Sequence, residues 1–409
     1  MGTCKYAYCL LLLLWFPSFL SAQYLNVLDS LLYNDTSSVM RKVLADPDKY
    51  RLQIIYSQTD YSGKKPTIHD YSFRLRQDEY FYPASLVKLP VAALALERLN
   101  YMCIEGLDKN TSLHTNPKYS GLYSDTIKVP SLADNIQQMM VVSDNFAFNR
   151  VYDFLGQEYS HLQLFQKGYV NTRILHRLSA ASGEENRISG PYRFVDSCGN
   201  VLYEEEALVT PKLFSSPAKN TKVGKAYIAG RKKINEPKDF SSSNFLPLND
   251  AHQMLISIIS PGFIQESSRF YLTESDYLFL RKNMGLYPRE AGLRQWMNDS
   301  IYYDGFRKYL YFGNNRNPID SNIRIYNKVG MAYGFMSDVA YFVNYKNKVE
   351  FFLSAVIYVN DSEVVNSGHY EYYSIGYPFM ERLGKLIYQY ELTRNSKCRN
   401  KKLSFKHQK

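Results

Sequence analysis

Cysteine, histidine and long apolar runs are all scarce in this chain, and each scarcity removes a class of function. Only five of the 409 residues are cysteine, and two of them, Cys4 and Cys9, lie in an N-terminal segment expected to be removed. Cys103, Cys198 and Cys398 remain, which is no disulfide framework and leaves room for one bridge in an exported protein. The seven histidines are scattered, with no His-Glu-x-x-His and no Cys-x-x-Cys, so neither a metal nor another cofactor is expected. Neither a Gly-x-Ser-x-Gly elbow nor a Gly-rich phosphate loop occurs, which sets aside the α/β-hydrolase and P-loop architectures. The N-terminal apolar run Tyr6–Phe16 is too short for a comfortable membrane span. Preceded by Lys5 and followed by Pro17 and the small residues Ser21 and Ala22, it reads as a secretory signal over residues 1–22. Export to a periplasm or to the extracellular medium is the expectation.

The net charge of +10 is concentrated at one end: residues 394–409 hold seven Lys or Arg and no acid, which leaves +3 for everything before them. This is the pattern of a solvated basic tail, and without a basic stripe or a reader motif no nucleic-acid partner is expected. Between signal and tail, residues 23–393 have the length and the apolar content of a globular domain.

Within that domain one stretch stands out, DEYFYPASLVKLPVAALALERLN from Asp78 to Asn100. After Ser85 the residues are apolar on nearly every face, as in a buried helix, and Pro90 is tolerable only if that helix begins near Ser85. Three residues apart at a helix start, Ser85 and Lys88 face the same side. Burial and the positive end of the helix dipole disfavour an ammonium there, so Lys88 can act as base to a Ser85 nucleophile. The spacing alone is common: Ser62 and Lys65, and Ser216 and Lys219, repeat it in polar stretches with no buried helix behind them.

The rest of the chain supplies context. A helix is expected over Leu25–Leu44 and extended segments over Tyr50–Ser57 and His69–Arg76. Tyr101–Pro130 has loop composition. Ser131 and Asp134 form a capping-box pattern before a helix that stops at Ser143-Asp144-Asn145, and a second helix runs on to Gly156. Gln157–Leu213 reads as loop-rich, with a hairpin near Gly199-Asn200. Asn249 is placed as the cap of a helix through Ile259, and Thr273 or Ser275 opens another to Met284. Strands follow at Asn322–Gly330, Ser337–Asn344 and Val349–Val359, then a helix over Ser374–Leu392. Strands at both ends and helices between them imply an α+β fold: an antiparallel sheet flanked by helices, with an inserted all-helical subdomain.

Ser85-x-x-Lys88, Ser143-Asp144-Asn145 and Lys328-Val329-Gly330 together resemble the three motifs of the class A serine beta-lactamases and penicillin-binding proteins. Ser337-Asp338-Val339-Ala340 extends the likeness, which spans about Tyr50 to Leu392. Lys-Val-Gly also occurs at Lys222; Lys328 is preferred because it lies on a strand, and that choice requires an insertion, placed at about 195–246 and between Gly285 and Asn322. The resemblance implies Ser85 as the acylated nucleophile and Lys88 as its base. Ser143 would be the proton donor to the leaving nitrogen, oriented by Lys328, and Asn145 would hold the substrate amide. Gly330 and Met331 would border the substrate, with the backbone N–H groups of Ser85 and Met331 as the oxyanion hole. Two departures matter. Val329 lacks the hydroxyl expected of the third motif, and Ser179 falls where the glutamate that activates the deacylating water belongs, leaving Glu184 and Glu185 as candidate bases. The leading expectation is hydrolysis of a beta-lactam amide through an acyl-enzyme. The alternatives are a peptidase or esterase of the penicillin-binding type, acting on a cell-wall peptide or small ester, and a catalytically silent cell-wall binding module.

Overall fold

The computed structural model describes residues 26–60, 67–120, 129–180, 183–292, 301–317 and 319–394. The expected signal segment, and the basic tail beyond Arg394, lie outside them.

Five antiparallel strands form the central sheet: β1 (Gln53–Asp60), β2 (Thr67–Phe73), β3 (Ile323–Ala332), β4 (Phe335–Asn344) and β5 (Val349–Tyr358), in the order β3-β4-β5-β1-β2. The chain's two ends meet where β1 pairs with β5, Ile55 opposite Ser354. Because side chains alternate across a strand, β3 feeds two cores at once. Ile325 and Val329 join an apolar cluster with the helices α1 (Val27–Tyr33), α2 (Ser38–Leu44) and α9 (Tyr377–Thr393), whereas Tyr326 joins the core on the opposite face. That second core is built on α3 (Lys88–Met102), with α4 (Leu132–Val141), α5 (Asn145–Leu155), α6 (Gln157–Gln166), α7 (Leu248–Ile259) and α8 (Glu274–Gly285). The architecture is the expected α+β one.

Several segments differ in detail. The expected helix over Leu25–Leu44 is two helices. Asn34 and Asp35 interrupt it, with the Asp35 carboxylate accepting from the Ser37 amide at 2.9 Å and from the Arg382 side chain at 2.7 Å. Asn249 is not a cap: it lies inside α7, which Pro247 precedes without a side-chain cap. Thr273, rather than Ser275, opens α8 through a reciprocal capping box with Asp276. Gln157–Gln166 is a helix, not loop. The helical middle also carries short ribbons, among them Tyr192–Val195 between Ser112–Thr115 and Val201–Glu205, and Ala226–Ala229 between Lys232–Ile234 and Val364–Val365. Residues 195–246, where an insertion is expected, are therefore largely β-ribbon and loop. Cys103 and Cys198 are both exposed and free.

Candidate active site

Ser85 lies in a single 3-10 turn, Ala84–Val87, and α3 starts at Lys88. Pro90 thus sits in the first turn of α3, where its missing amide hydrogen leaves no bond unmade. Ala84 takes a left-handed φ of 47°, which swings Ser85 out of an otherwise buried segment. Leu86 donates its amide to the Pro83 carbonyl at 2.9 Å and closes the turn. β3 lies against it. A Cβ added to Gly330 would stand 2.0 Å from the Pro83 carbonyl oxygen, so only glycine lets the strand approach this closely.

The Ser-Asp-Asn segment divides its labour. Ser143 adopts φ 64°, Asp144 caps α5 by accepting from the Ala147 amide at 2.7 Å, and Asn145 is the first helical residue. The left-handed turn at Ser143 directs its carbonyl and hydroxyl toward Lys88. Lys88 Nζ lies 2.6 Å from the Ser143 carbonyl, 2.7 Å from Asn145 Oδ1, 2.8 Å from Ser85 Oγ and 3.3 Å from Ser143 Oγ. Lys328 Nζ reaches Ser143 Oγ from the other side at 3.0 Å.

Both lysines are fully buried, and burial is the main reason that each holds its proton weakly. Lys88 falls well below the ordinary lysine range, with the Lys328 charge adding to the effect and Asp144 opposing it. Lys328 falls to about 7, pushed further by Arg307 and by Lys308 and held up by Asp338. The neutral form of Lys88 fits its surroundings. An uncharged amine has two hydrogens and one lone pair, and the Ser143 carbonyl and Asn145 Oδ1 are acceptors only. If these two take the hydrogens, the lone pair is left for the Ser85 hydroxyl. Such a pair can remove a proton from a serine about to attack a carbonyl.

Of the other residues singled out by the sequence, Gly330 and Met331 lie on β3 beside the Ser85 turn, and Val329 is buried in the core facing α9. Glu184 and Glu185 are not brought to the cluster. They sit on the turn Gly183–Arg187, where Glu184 pairs with Arg187, and Glu185 pairs with Lys118 at 2.6 Å. Among the described residues no carboxylate hydrogen-bonds to Ser85, Lys88, Ser143 or Asn145; the group on the Asn145 amide is the Ser179 hydroxyl, which accepts from Nδ2 at 2.9 Å.

Arg307 went unseen in the sequence. Its guanidinium acts electrostatically on both Lys88 and Lys328, donates to the Tyr309 hydroxyl at 3.1 Å, and pairs with no carboxylate among the described residues. It comes from the segment before β3, which carries no recognisable motif, so no local signal marked it.

Residues 46–206 match the sequence profile of the beta-lactamase enzyme family. No curated protein matches the chain. Among solved structures, the chromosome-encoded beta-lactamase of Vibrio parahaemolyticus aligns at 14% identity and TM-score 0.48, covering 87% of this chain and 100% of its own. A class A beta-lactamase from Clostridium kluyveri aligns at 13% and 0.47, covering 85% and 97%.

Proposed function

We propose that this chain, whose residues 46–206 match the beta-lactamase enzyme family, is an exported serine hydrolase that opens the amide of a beta-lactam through an acyl-enzyme at Ser85. The observation that carries the reading is the 2.8 Å separation of Ser85 Oγ from a buried Lys88 amine whose two other close neighbours are pure acceptors.

In the proposed sequence Ser85 Oγ attacks the lactam carbonyl carbon as Lys88 takes the hydroxyl proton. The developing oxyanion is held by the backbone N–H groups of Ser85 and Met331. As the carbon–nitrogen bond breaks, the nitrogen takes a proton from Ser143, which is resupplied from Lys88 or Lys328. Asn145 holds the side-chain amide of the substrate. Lys328 and Arg307 face the substrate carboxylate, Arg307 taking the place of the hydroxyl that Val329 lacks. Water then hydrolyses the ester.

A second reading, acylation without rapid release as in a penicillin-binding protein, is favoured by one observation: a serine hydroxyl, not a carboxylate, bonds Asn145. Glu184 and Glu185, each paired with a cation elsewhere, are poorly placed to activate water.

Incubation with a fluorescent penicillin and a chromogenic cephalosporin separates the two. Turnover supports the lactamase reading, and a lasting adduct at Ser85 supports the second. A Ser85→Ala protein that labels and turns over like the parent would overturn both.

A further inference from the structure

The Asn145 side chain can face Lys88 in two ways that differ by a half-turn of its amide, and only one leaves Lys88 usable as a base. With Oδ1 toward Lys88, at 2.7 Å, the amide accepts an amine hydrogen and leaves the lone pair to Ser85. With Nδ2 toward Lys88, the amide would donate into that lone pair and compete with the Ser85 hydroxyl.

Ser179 is the group on the far side of the amide, its hydroxyl accepting from Asn145 Nδ2 at 2.9 Å. Ser179 stands on an exposed position with φ 55°, at the end of a segment held unusually firmly. Asn149 exchanges two hydrogen bonds with Leu178, at 2.9 and 3.1 Å. The Arg177 guanidinium pairs with Asp153 of α5, both wholly buried. From the insertion, Arg173 and Phe245 exchange backbone bonds at 2.7 and 2.9 Å. The fully buried Asn244 accepts from the Leu175 and His176 amides at 2.6 and 3.0 Å and donates to the His176 carbonyl at 3.1 Å. An unbroken run of contacts therefore leads from Asn244 through residues 175–179 and Asn145 to Lys88 and Ser85.

We infer that Ser179 is a positioning residue that holds the Asn145 amide in place with Oδ1 on Lys88, and that the insertion, through Asn244, holds the segment that delivers it. The inference rests on the reading of Ser85 as nucleophile and Lys88 as base, and it gives the insertion a role in the chemistry.

A titration of Lys88 tests it without substrate. In the full chain labelled with carbon-13 at lysine Cε, the Lys88 signal, assigned with Lys88→Arg, is followed against pH in the parent, Ser179→Ala, Ser179→Gly and Asn244→Ala. The charged groups facing Lys88 are Lys328 on β3, Asp144 at the start of α5 and Arg307 before β3, and none is altered by these changes. Losing an acceptor, or gaining a donor, disfavours the ammonium. The Lys88 midpoint is therefore expected to move down by about half to one pH unit in each variant. Acylation by the fluorescent penicillin is expected to fall about tenfold even though more of the lysine is neutral, a combination that mere loosening of the fold does not produce. Glycine accepts a φ of 55° without strain, so Ser179→Gly removes the hydroxyl alone. Midpoints unchanged in both Ser179 variants would overturn the inference, and so would a fall in acylation that only tracks a fall in Tm. A parent protein that takes no label, with the midpoints shifted as expected, would instead refute the nucleophile assignment and leave the positioning of Lys88 standing.

Discussion

At the scale of single residues the site gathers basic groups, and Arg307 is the one that keeps its proton firmly. Arg307 acts electrostatically on both Lys88 and Lys328, and the acids that act on these lysines are Asp144, which caps a helix, and Asp338, which is buried with Asn327 and the Leu310 amide as partners. A substrate carboxylate would pair with the Arg307 charge. Arg307→Ala is expected to raise KM by about 10- to 100-fold for carboxylate-bearing penicillins or cephalosporins, the value of one charge-assisted hydrogen bond. Esters with no carboxylate should be affected little. Steady-state kinetics on the two substrate sets checks this, and an equal loss on both would remove Arg307 from carboxylate binding. The sequence exposed Ser85, Lys88, Ser143, Asn145 and Lys328 because each falls within a short motif. Arg307 was hidden because its importance comes only from where the chain folds back beside β3.

Among elements, the decisive contact is between β3 and the Ser85 turn. Gly330 sits where any side chain would strike the Pro83 carbonyl, at 2.0 Å for a Cβ, and the Ser337 hydroxyl, at 2.8 Å. Gly330→Ala should push β3 away from the turn, shifting Met331 relative to Ser85. Acylation is expected to fall on the order of 100-fold, since a displacement of about 1 Å is enough for that. The overpacking itself should cost about 1–3 kcal/mol of stability, measurable by urea unfolding. Acylation near the parent's rate would mean that β3 has slack the geometry does not show. Legibility at this scale followed the kind of residue that carried the pattern. The helices α3, α4 and α5 announce themselves by apolar periodicity, and β3 to β5 by long buried strands. The missed α6 buries Gln157, Ser160, His161 and Leu164, a helical spacing in which three of the four residues are polar. Their burial is sustained by hydrogen bonds, such as His161 Nδ1 with the Gln157 carbonyl at 2.7 Å, so hydrophobic periodicity could not register it. The false start at Asn249 is the reverse case: a residue type that often caps, lying one position inside a helix that begins after proline.

For the whole molecule, the buried cations make stability depend on alkalinity. Lys308 joins Lys88 and Lys328 as a buried lysine held low, at about 7, chiefly by burial and then by Arg324; its amine donates to the Ile325 carbonyl at 2.8 Å, Asn327 Oδ1 at 3.0 Å and the Met284 carbonyl at 3.2 Å. In the unfolded chain each lysine titrates near 10.4. Between these values the unfolded state binds more protons than the folded one, so stability rises with pH. For Lys308 and Lys328 the penalty is complete below about 7 and is lifted as pH climbs toward 10. Buried tyrosines such as Tyr82, raised by burial, act oppositely once the unfolded chain begins to lose phenolic protons, which restricts the clean window to about pH 7.5–9. Urea unfolding across that window should show the parent gaining stability with pH. Lys308→Met lies outside the proposed chemistry and removes one titrating group. It should reduce the slope by up to about 1.4 kcal/mol per pH unit. Its absolute stability should also fall, because Asn327 Oδ1 and two carbonyls lose a donor, yet the slope is independent of that loss. A parent whose stability is flat or falling from pH 7.5 to 9, or a Lys308→Met protein with the parent's slope, would mean that these lysines keep their charge in the fold, and Lys88 would then need another way to become a base.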